Sequence, residues 1–151
     1  MTTNRGNDPK NFLTEAESTR VVEAIKAAER GTTAEIRLRI DRKSGGPPLE
    51  AARITFHKLK MDQTAEHNGV LLYLSLTDRQ FAVYGDAAID RHIGADGWNA
   101  IRDRLAARFT KNEFAEGLAD AIDDIGKTLA RHFPARPGDR NELSDDVSLG
   151  R

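Results

Sequence analysis

The chain predicts an α/β three-layer sandwich: a central mixed sheet, made of a parallel strand–helix–strand unit and an antiparallel hairpin, with helices on both faces. Three observations carry this expectation. The run from Asn68 to Asp86 is the most apolar stretch of a polar sequence, and reads as two strands joined by a tight turn at Thr77, Asp78 and Arg79. Ala34 to Ile40 alternates strictly: Ile36, Leu38 and Ile40 point one way, and Glu35, Arg37 and Arg39 the other. Such alternation marks a strand with one face buried and one face wet or ion-paired. Much of the remaining chain places apolar residues at helical spacing.

Taken in order, residues 1–11 are polar and read as a mobile N-terminus ahead of a single domain over residues 12–133. Thr14-Glu-Ala-Glu17 matches a capping box, in which the threonine oxygen takes the Glu17 amide and the Glu17 carboxylate reaches back. Val22, Ile25 and Ala28 continue that helix, and Gly31 suits a left-handed C-terminal cap. The strand over 34–40 follows. Ser44-Gly-Gly-Pro-Pro48 reads as a loop, and a second helix runs from about Leu49 to Leu59, with Leu49, Ala52, Phe56 and Leu59 on one side. Val70 to Leu76 is apolar at almost every position, as in a strand covered on both faces. Strand, helix and strand from 34 to 76 form a crossover unit, so these two strands run parallel. Phe81 to Tyr84 returns antiparallel through the short turn.

A short helical or irregular piece reaches His92, and Gly94-Ala-Asp-Gly97 reads as a break. Trp98, Ile101, Leu105 and Phe109 mark the next helix. Asn112 suits the cap of the last one, which carries a long stripe through Phe114, Leu118, Ala121, Ile122, Ile125 and Leu129. Gly117 and Gly126 weaken that helix, so they point to a close approach by another element. Pro134 ends it, and residues 134–151 read as an extended or disordered tail.

Composition narrows the function classes. A net charge of −1 lacks the basic excess of a general nucleic-acid binder, so no nucleic-acid partner is expected. The chain has no cysteine, which removes disulfides, thiolate zinc sites and a thiol nucleophile. No signal peptide or membrane-spanning run is visible, so a cytoplasmic location without membrane insertion is expected. There is no G-x-S-x-G, P-loop, G-x-G-x-x-G or HExxH spacing. Of the four histidines, His57, His67, His92 and His132, only His67 falls near a candidate site.

That site follows from strand direction. The starts of the two parallel strands and the end of the returning one lie at one sheet edge. This edge carries Glu35, His67, Asn68 and Asp86, and Asp96 at the start of a later helix can join them. Carboxylates with an amide oxygen are the hard oxygen ligands that calcium or magnesium takes, so Glu35, Asn68, Asp86 and Asp96 are the candidate metal ligands. Each also has a structural reading: Asp86 as a helix cap, Asn68 as a turn residue, Glu35 as the partner of an arginine across the sheet. The opposite edge carries Asp41, Thr77, Asp78 and Arg79, and ligands in open sheets often bind beyond the carboxyl ends of parallel strands.

Ala34-Glu-Ile-Arg37, Asn68-Gly-Val-Leu-Leu72, Arg79 with Phe81-Ala-Val83, Gly85-Asp86, Trp98 and Phe114-x-x-Gly117-Leu118, in that order, resemble the TPM domain. The similarity covers about residues 12–133, and Asn141-Glu-Leu143 is similar to the tail of soluble bacterial members. The resemblance implies a sandwich with helices on both faces. It implies calcium or a related divalent ion in some members, acid phosphatase activity in a plant member, and assembly or repair of membrane complexes in others. Many members carry Gly-Tyr-Gly-Leu-Glu after the third strand. Here the stretch is Gly85-Asp-Ala-Ala-Ile89, which puts isoleucine where relatives have glutamate and leaves Asp86 to supply a carboxylate from a shifted position. The expected function is a soluble accessory domain that binds a divalent cation (calcium or magnesium), a protein partner or both, without robust catalysis. That partner can belong to a membrane-associated complex. The alternative is a metal-assisted acid phosphatase acting on phosphomonoesters.

Overall fold

The computed structural model describes residue 6, residues 8–136 and residues 147–150. Expectations for residues 1–5, 7, 137–146 and 151 lie outside the described residues. A short helix precedes the capping box. Asp8 caps a short helix, α1 (Pro9–Phe12), accepting the Lys10 amide at 3.1 Å, and Phe12 is buried with its ring edge-on to Phe114. The expected capping box is present at the start of α2 (Glu15–Arg30): Glu17 N–H donates to Thr14 Oγ1 at 3.1 Å, and Thr14 N–H donates to Glu17 Oε1 at 2.9 Å. Gly31 caps this helix with φ −98°, not in the left-handed conformation.

The sheet runs in the order β3-β2-β1-β4. Here β1 is Ile36–Asp41, β2 Val70–Ser75, β3 Gln80–Gly85 and β4 Ser148–Leu149. β1 and β2 are parallel with Ile36 opposite Val70, and β3 returns antiparallel with Gly85 opposite Val70. β2 is buried at every position because it is central in the sheet and helices cover both faces. The fourth strand lies within the C-terminal tail. Ser148 and Leu149 lie parallel to β1, opposite Arg39 and Ile40.

Helices α2, α5 (Gly94–Thr110) and α6 (Phe114–His132) share the large core with Ile36, Leu38, Ile40, Val70, Leu72 and Leu74. Helix α3 (Pro48–Lys58) covers the other face, where Ala52 and Phe56 meet Leu71, Tyr73 and Ala82. Pro48, expected in a loop, occupies the first turn of α3, where a missing N–H costs nothing. The short helix α4 (Ala87–His92) leads into α5, which starts at Gly94 instead of Trp98. Gly94 takes φ +75° at the junction, so the glycine-rich run opens the helix where it was expected to break it.

The stripe on α6 is realised as expected. Leu118, Ile122, Ile125 and Leu129 are fully buried, at about 1.5–3 kcal/mol each, which outweighs the ~1 kcal/mol that each of Gly117 and Gly126 costs the helix. The glycines allow close approach. A Cβ on Gly126 would lie 2.6 Å from Ala28 Cβ of α2, and one on Gly117 would lie 2.9 Å from Arg108 Cβ of α5. Asn112 does not cap α6; it takes φ +60° in the turn before it, and Glu113 holds the cap position. Among the described residues, no helix is long and apolar enough to cross a membrane.

Candidate functional site

The parallel pairing of β1 with β2, and the return of β3, bring three of the four predicted residues to one sheet edge. Glu35 immediately precedes β1, and its carbonyl accepts Val70 N–H at 2.8 Å. On the opposite flank of β2, Asp86 N–H donates to the Gly69 carbonyl at 3.0 Å, which sets Asp86 beside the Asn68–Gly69 pair. Glu35 was expected on a wet or ion-paired face; it is 3% exposed, so the wet reading does not hold at the residue that precedes β1. Asp96 stays apart, exposed in the first turn of α5.

Asn68 is 1% exposed and held through its backbone N–H and its side-chain Nδ2. Its backbone N–H donates to Thr64 Oγ1 at 3.3 Å and its Nδ2 to Thr33 Oγ1 at 3.0 Å. Its Oδ1 is buried without a hydrogen-bond partner. Asp86 caps α4 as one of its readings required: Oδ1 accepts Ala87 N–H at 2.8 Å. The cap uses one oxygen only. Oδ2 is buried with no hydrogen-bond partner, 3.8 Å from Nδ1 of the exposed His67. His67 itself takes φ +51°, and its carbonyl accepts Ala88 N–H at 3.1 Å, which ties the turn before β2 to the start of α4.

The edge therefore presents two acceptors, an amide oxygen and a carboxylate oxygen, on side chains whose other polar atoms are hydrogen-bonded. This donor set suits a hard divalent cation in kind and falls short in number, since calcium takes six to eight oxygens. Among the described residues, no three histidine, aspartate or glutamate side chains come together closely enough to hold a metal ion. The position at which relatives carry a glutamate is filled differently. Ile89 is fully buried in the main core, so close over β3 that a Cβ on Gly85 would lie 2.5 Å from Ile89 Cγ2.

Sequence reasoning passed over Glu29. It is 8% exposed, and its Oε2 accepts Ile36 N–H, the first amide of β1, at 2.8 Å. A signal was available: a carboxylate in the last turn of a helix opposes the helix dipole, so it is kept there for another reason. Thr33 and Thr64, which hold Asn68, carried no signal in their spacing.

The opposite edge is closed by its own hydrogen bonds. Asp41 accepts from Arg39 Nε at 2.6 Å through Oδ1 and from the Tyr73 hydroxyl at 2.7 Å through Oδ2. Burial, and then the bond to Asp41, push the Tyr73 phenol well above its ordinary value, so it stays a neutral donor. Asp78 was read as a turn residue and does more. Its carboxylate accepts from Ser75 Oγ at 2.7 Å, from Ser44 N–H at 3.2 Å and from Ser44 Oγ at 3.0 Å, pinning the glycine loop to the hairpin. These bonds, that from Ser75 first, hold its carboxyl below the usual range.

Comparison with known proteins follows the same outline. A family model described as the TPM domain matches residues 7–128. The NMR structure of the BA42 protein from the psychrophilic bacterium Bizionia argentinensis superposes with a TM-score of 0.87 at 37% identity, covering 92% of this chain and 96% of that one. The solution NMR structure of the N-terminal domain of a protein from P. gingivalis superposes with a TM-score of 0.61 at 20% identity, covering 83% and 82%, a likeness of fold. No curated protein matches the chain. The ordered motifs, the sheet with its two helical layers and the extent of these matches place the chain in the TPM domain family.

Proposed function

We propose that this TPM domain is an accessory module that binds a divalent cation, calcium or magnesium, at the edge formed by Asn68 and Asp86, and acts on or with a protein partner instead of turning over a substrate robustly. The observation that carries the reading is the pair of buried acceptors, Asn68 Oδ1 and Asp86 Oδ2, which have no hydrogen-bond donor. An unpaired buried polar atom costs about 1–3 kcal/mol, and a bound cation would remove that cost at each oxygen it reaches. Glu35 lies at the same edge, and backbone carbonyls and water would complete the shell. With so few charged ligands, the expected dissociation constant falls on the order of 0.1–1 mM, the weak end of protein calcium sites.

Titration calorimetry with calcium and with magnesium tests this on the full chain and on Asp86→Asn. Asparagine caps a helix as well as aspartate does, so this variant keeps the fold and loses the charge. Its affinity should fall at least about tenfold, an effect of ~1.4 kcal/mol, while its unfolding free energy stays within about 0.5 kcal/mol of the parent. Equal binding by parent and variant would remove the site from this edge.

One observation keeps hydrolysis as a second reading. His67 Nδ1, 3.8 Å from Asp86 Oδ2, is a group at this edge able to move a proton. A metal-assisted acid phosphatase would use the cation to polarise a phosphoryl oxygen and His67 to manage the proton. Hydrolysis of a generic phosphomonoester that stops with chelator and with His67→Gln would support it; activity indifferent to both would eliminate it.

A further inference from the structure

Backbone direction along β1 defines a second feature. The Glu35 and Asp41 carbonyls turn toward β2, accepting Val70 N–H at 2.8 Å and Leu76 N–H at 3.1 Å. Backbone groups alternate in direction along a parallel strand, so Ile36, Leu38 and Ile40 turn theirs to the outer edge of the sheet. An edge of this kind is a template for another strand. Here its two ends are closed differently. Glu29 takes the Ile36 amide, and the Ile40 carbonyl accepts Gly150 N–H at 2.7 Å, from the residue that follows β4.

The contacts of that segment are selective. Arg39 Nη1 donates to Ser148 Oγ at 3.1 Å. Position 150 admits only glycine, because a Cβ there would lie 1.5 Å from Asp41 Oδ1. That carboxylate cannot swing aside without losing its bonds from Arg39 and Tyr73. Val147 packs against the main core, while Leu149 is 46% exposed. Beside them runs an open groove of about 760 Å³ between α1, α2 and the sheet edge, lined in part by Leu13, Val22, Ile40, Val147 and Leu149. A two-residue strand therefore sits in a receptor with room for a longer one.

We propose that the outer edge of β1 is a docking site for extended protein segments of the pattern apolar–hydroxyl–apolar–glycine, that the chain's own Val147–Gly150 occupies it in cis, and that a segment of the same pattern from a partner displaces this occupant. The inference is independent of the cation reading, since it involves the opposite flank of β1 and none of Asn68, Asp86 or His67.

A fluorescent peptide with the sequence of residues 144–151 tests it by anisotropy on the full chain and on full-chain Gly150→Val and Ser148→Pro. The first variant collides with Asp41, and the second removes a ladder N–H. A tethered segment competes at an effective concentration in the millimolar range, so both variants should bind the peptide at least about tenfold more tightly than the parent. A peptide carrying the Gly150→Val change should bind none of them. Amide exchange at Ile40 should quicken in both variants, while Arg37 and Arg39, whose amides turn to β2, keep their protection. Equal peptide binding by parent and variants, or no binding by any, overturns the proposal. So does unchanged exchange at Ile40. Loss of protection at Arg37 and Arg39 in both variants overturns it as well, because the tail would then be part of the fold and not an exchangeable occupant.

Discussion

Replacing Gly126 with alanine should destabilise the protein, although alanine is the better helix former by about 0.8–1.0 kcal/mol. The opposing term comes from α2. The new Cβ would lie 2.6 Å from Ala28 Cβ and 3.1 Å from Ala28 Cα, and neither atom can rotate away. Ordinary carbon contacts begin near 3.5 Å, so the helices must part by roughly 1 Å. Overpacking of this kind costs about 1–3 kcal/mol. It also loosens Ile25, Ile122 and Leu129, which are fully buried in the same cluster, so the upper half of that range applies. The net expectation is a loss of about 1–2 kcal/mol and a fall in Tm of roughly 2–8 °C for a domain of this size. Urea denaturation followed by circular dichroism reads it directly. The reciprocal change supplies the control. Ala28→Gly alone costs about 1 kcal/mol of helix propensity, but combined with Gly126→Ala it moves the methyl from one helix to the other and should recover at least about 1 kcal/mol relative to the sum of the single variants. A stabilised Gly126→Ala, or a strictly additive double variant, would refute the packing argument.

Three further outcomes follow from the hydrogen-bonded edge around Asp41 and Asp78. The Asp78 carboxyl is held below its ordinary value, chiefly by Ser75, so the folded state binds its proton later than the unfolded chain does. Its contribution is present above the unfolded carboxyl value near 4 and is lost as pH falls through the lower folded value; Asp78→Asn should therefore flatten the acid limb of a Tm-against-pH profile, and an unchanged limb would discount these bonds. Tyr73→Phe removes a hydroxyl that donates to a carboxylate at 2.7 Å and should cost about 1.5–3 kcal/mol by urea denaturation. Because the Tyr73 phenol is pushed up, its ionisation should be missing from an ultraviolet titration of the parent near pH 11, and two phenolates per chain at that pH would contradict the burial of Tyr73.

Local chemistry made much of the fold readable. The Thr14–Glu17 capping box, the apolar β2 and the α6 stripe each depend on neighbours within a few residues, and each appears as expected. Direction along a crossover unit was enough to place Glu35, Asn68 and Asp86 at one edge. What failed depends on distant partners. Burial of Glu35 is set by the packing around it, which the alternation of β1 does not encode. Gly94 reads as a break in isolation, yet opens a helix because its positive φ makes the junction with α4. β4 has only two residues, too few for a period, and exists because β1 offers an edge. The unpartnered oxygens of Asn68 and Asp86, on which the proposed site rests, emerge only when every other bond of those side chains has been assigned.

The pairing of α2 with α6 has a consequence for biosynthesis. Ala28 and Gly126 are 98 residues apart in the chain, and Thr33 N–H donates to the carbonyl of Phe133, exactly 100 positions on. The large core is thus closed by α6, the last helix among the described residues. At about 5–20 residues per second, the stretch from Leu74 to Phe133 takes roughly 3–12 s to make. Through that interval Ile36, Leu38, Ile40, Val70, Leu72 and Leu74 exist on the nascent chain without the α6 residues that later bury them. Those side chains stay uncovered until α6 emerges, so messages truncated ahead of residue 114 should yield aggregating, protease-sensitive fragments instead of a smaller folded unit.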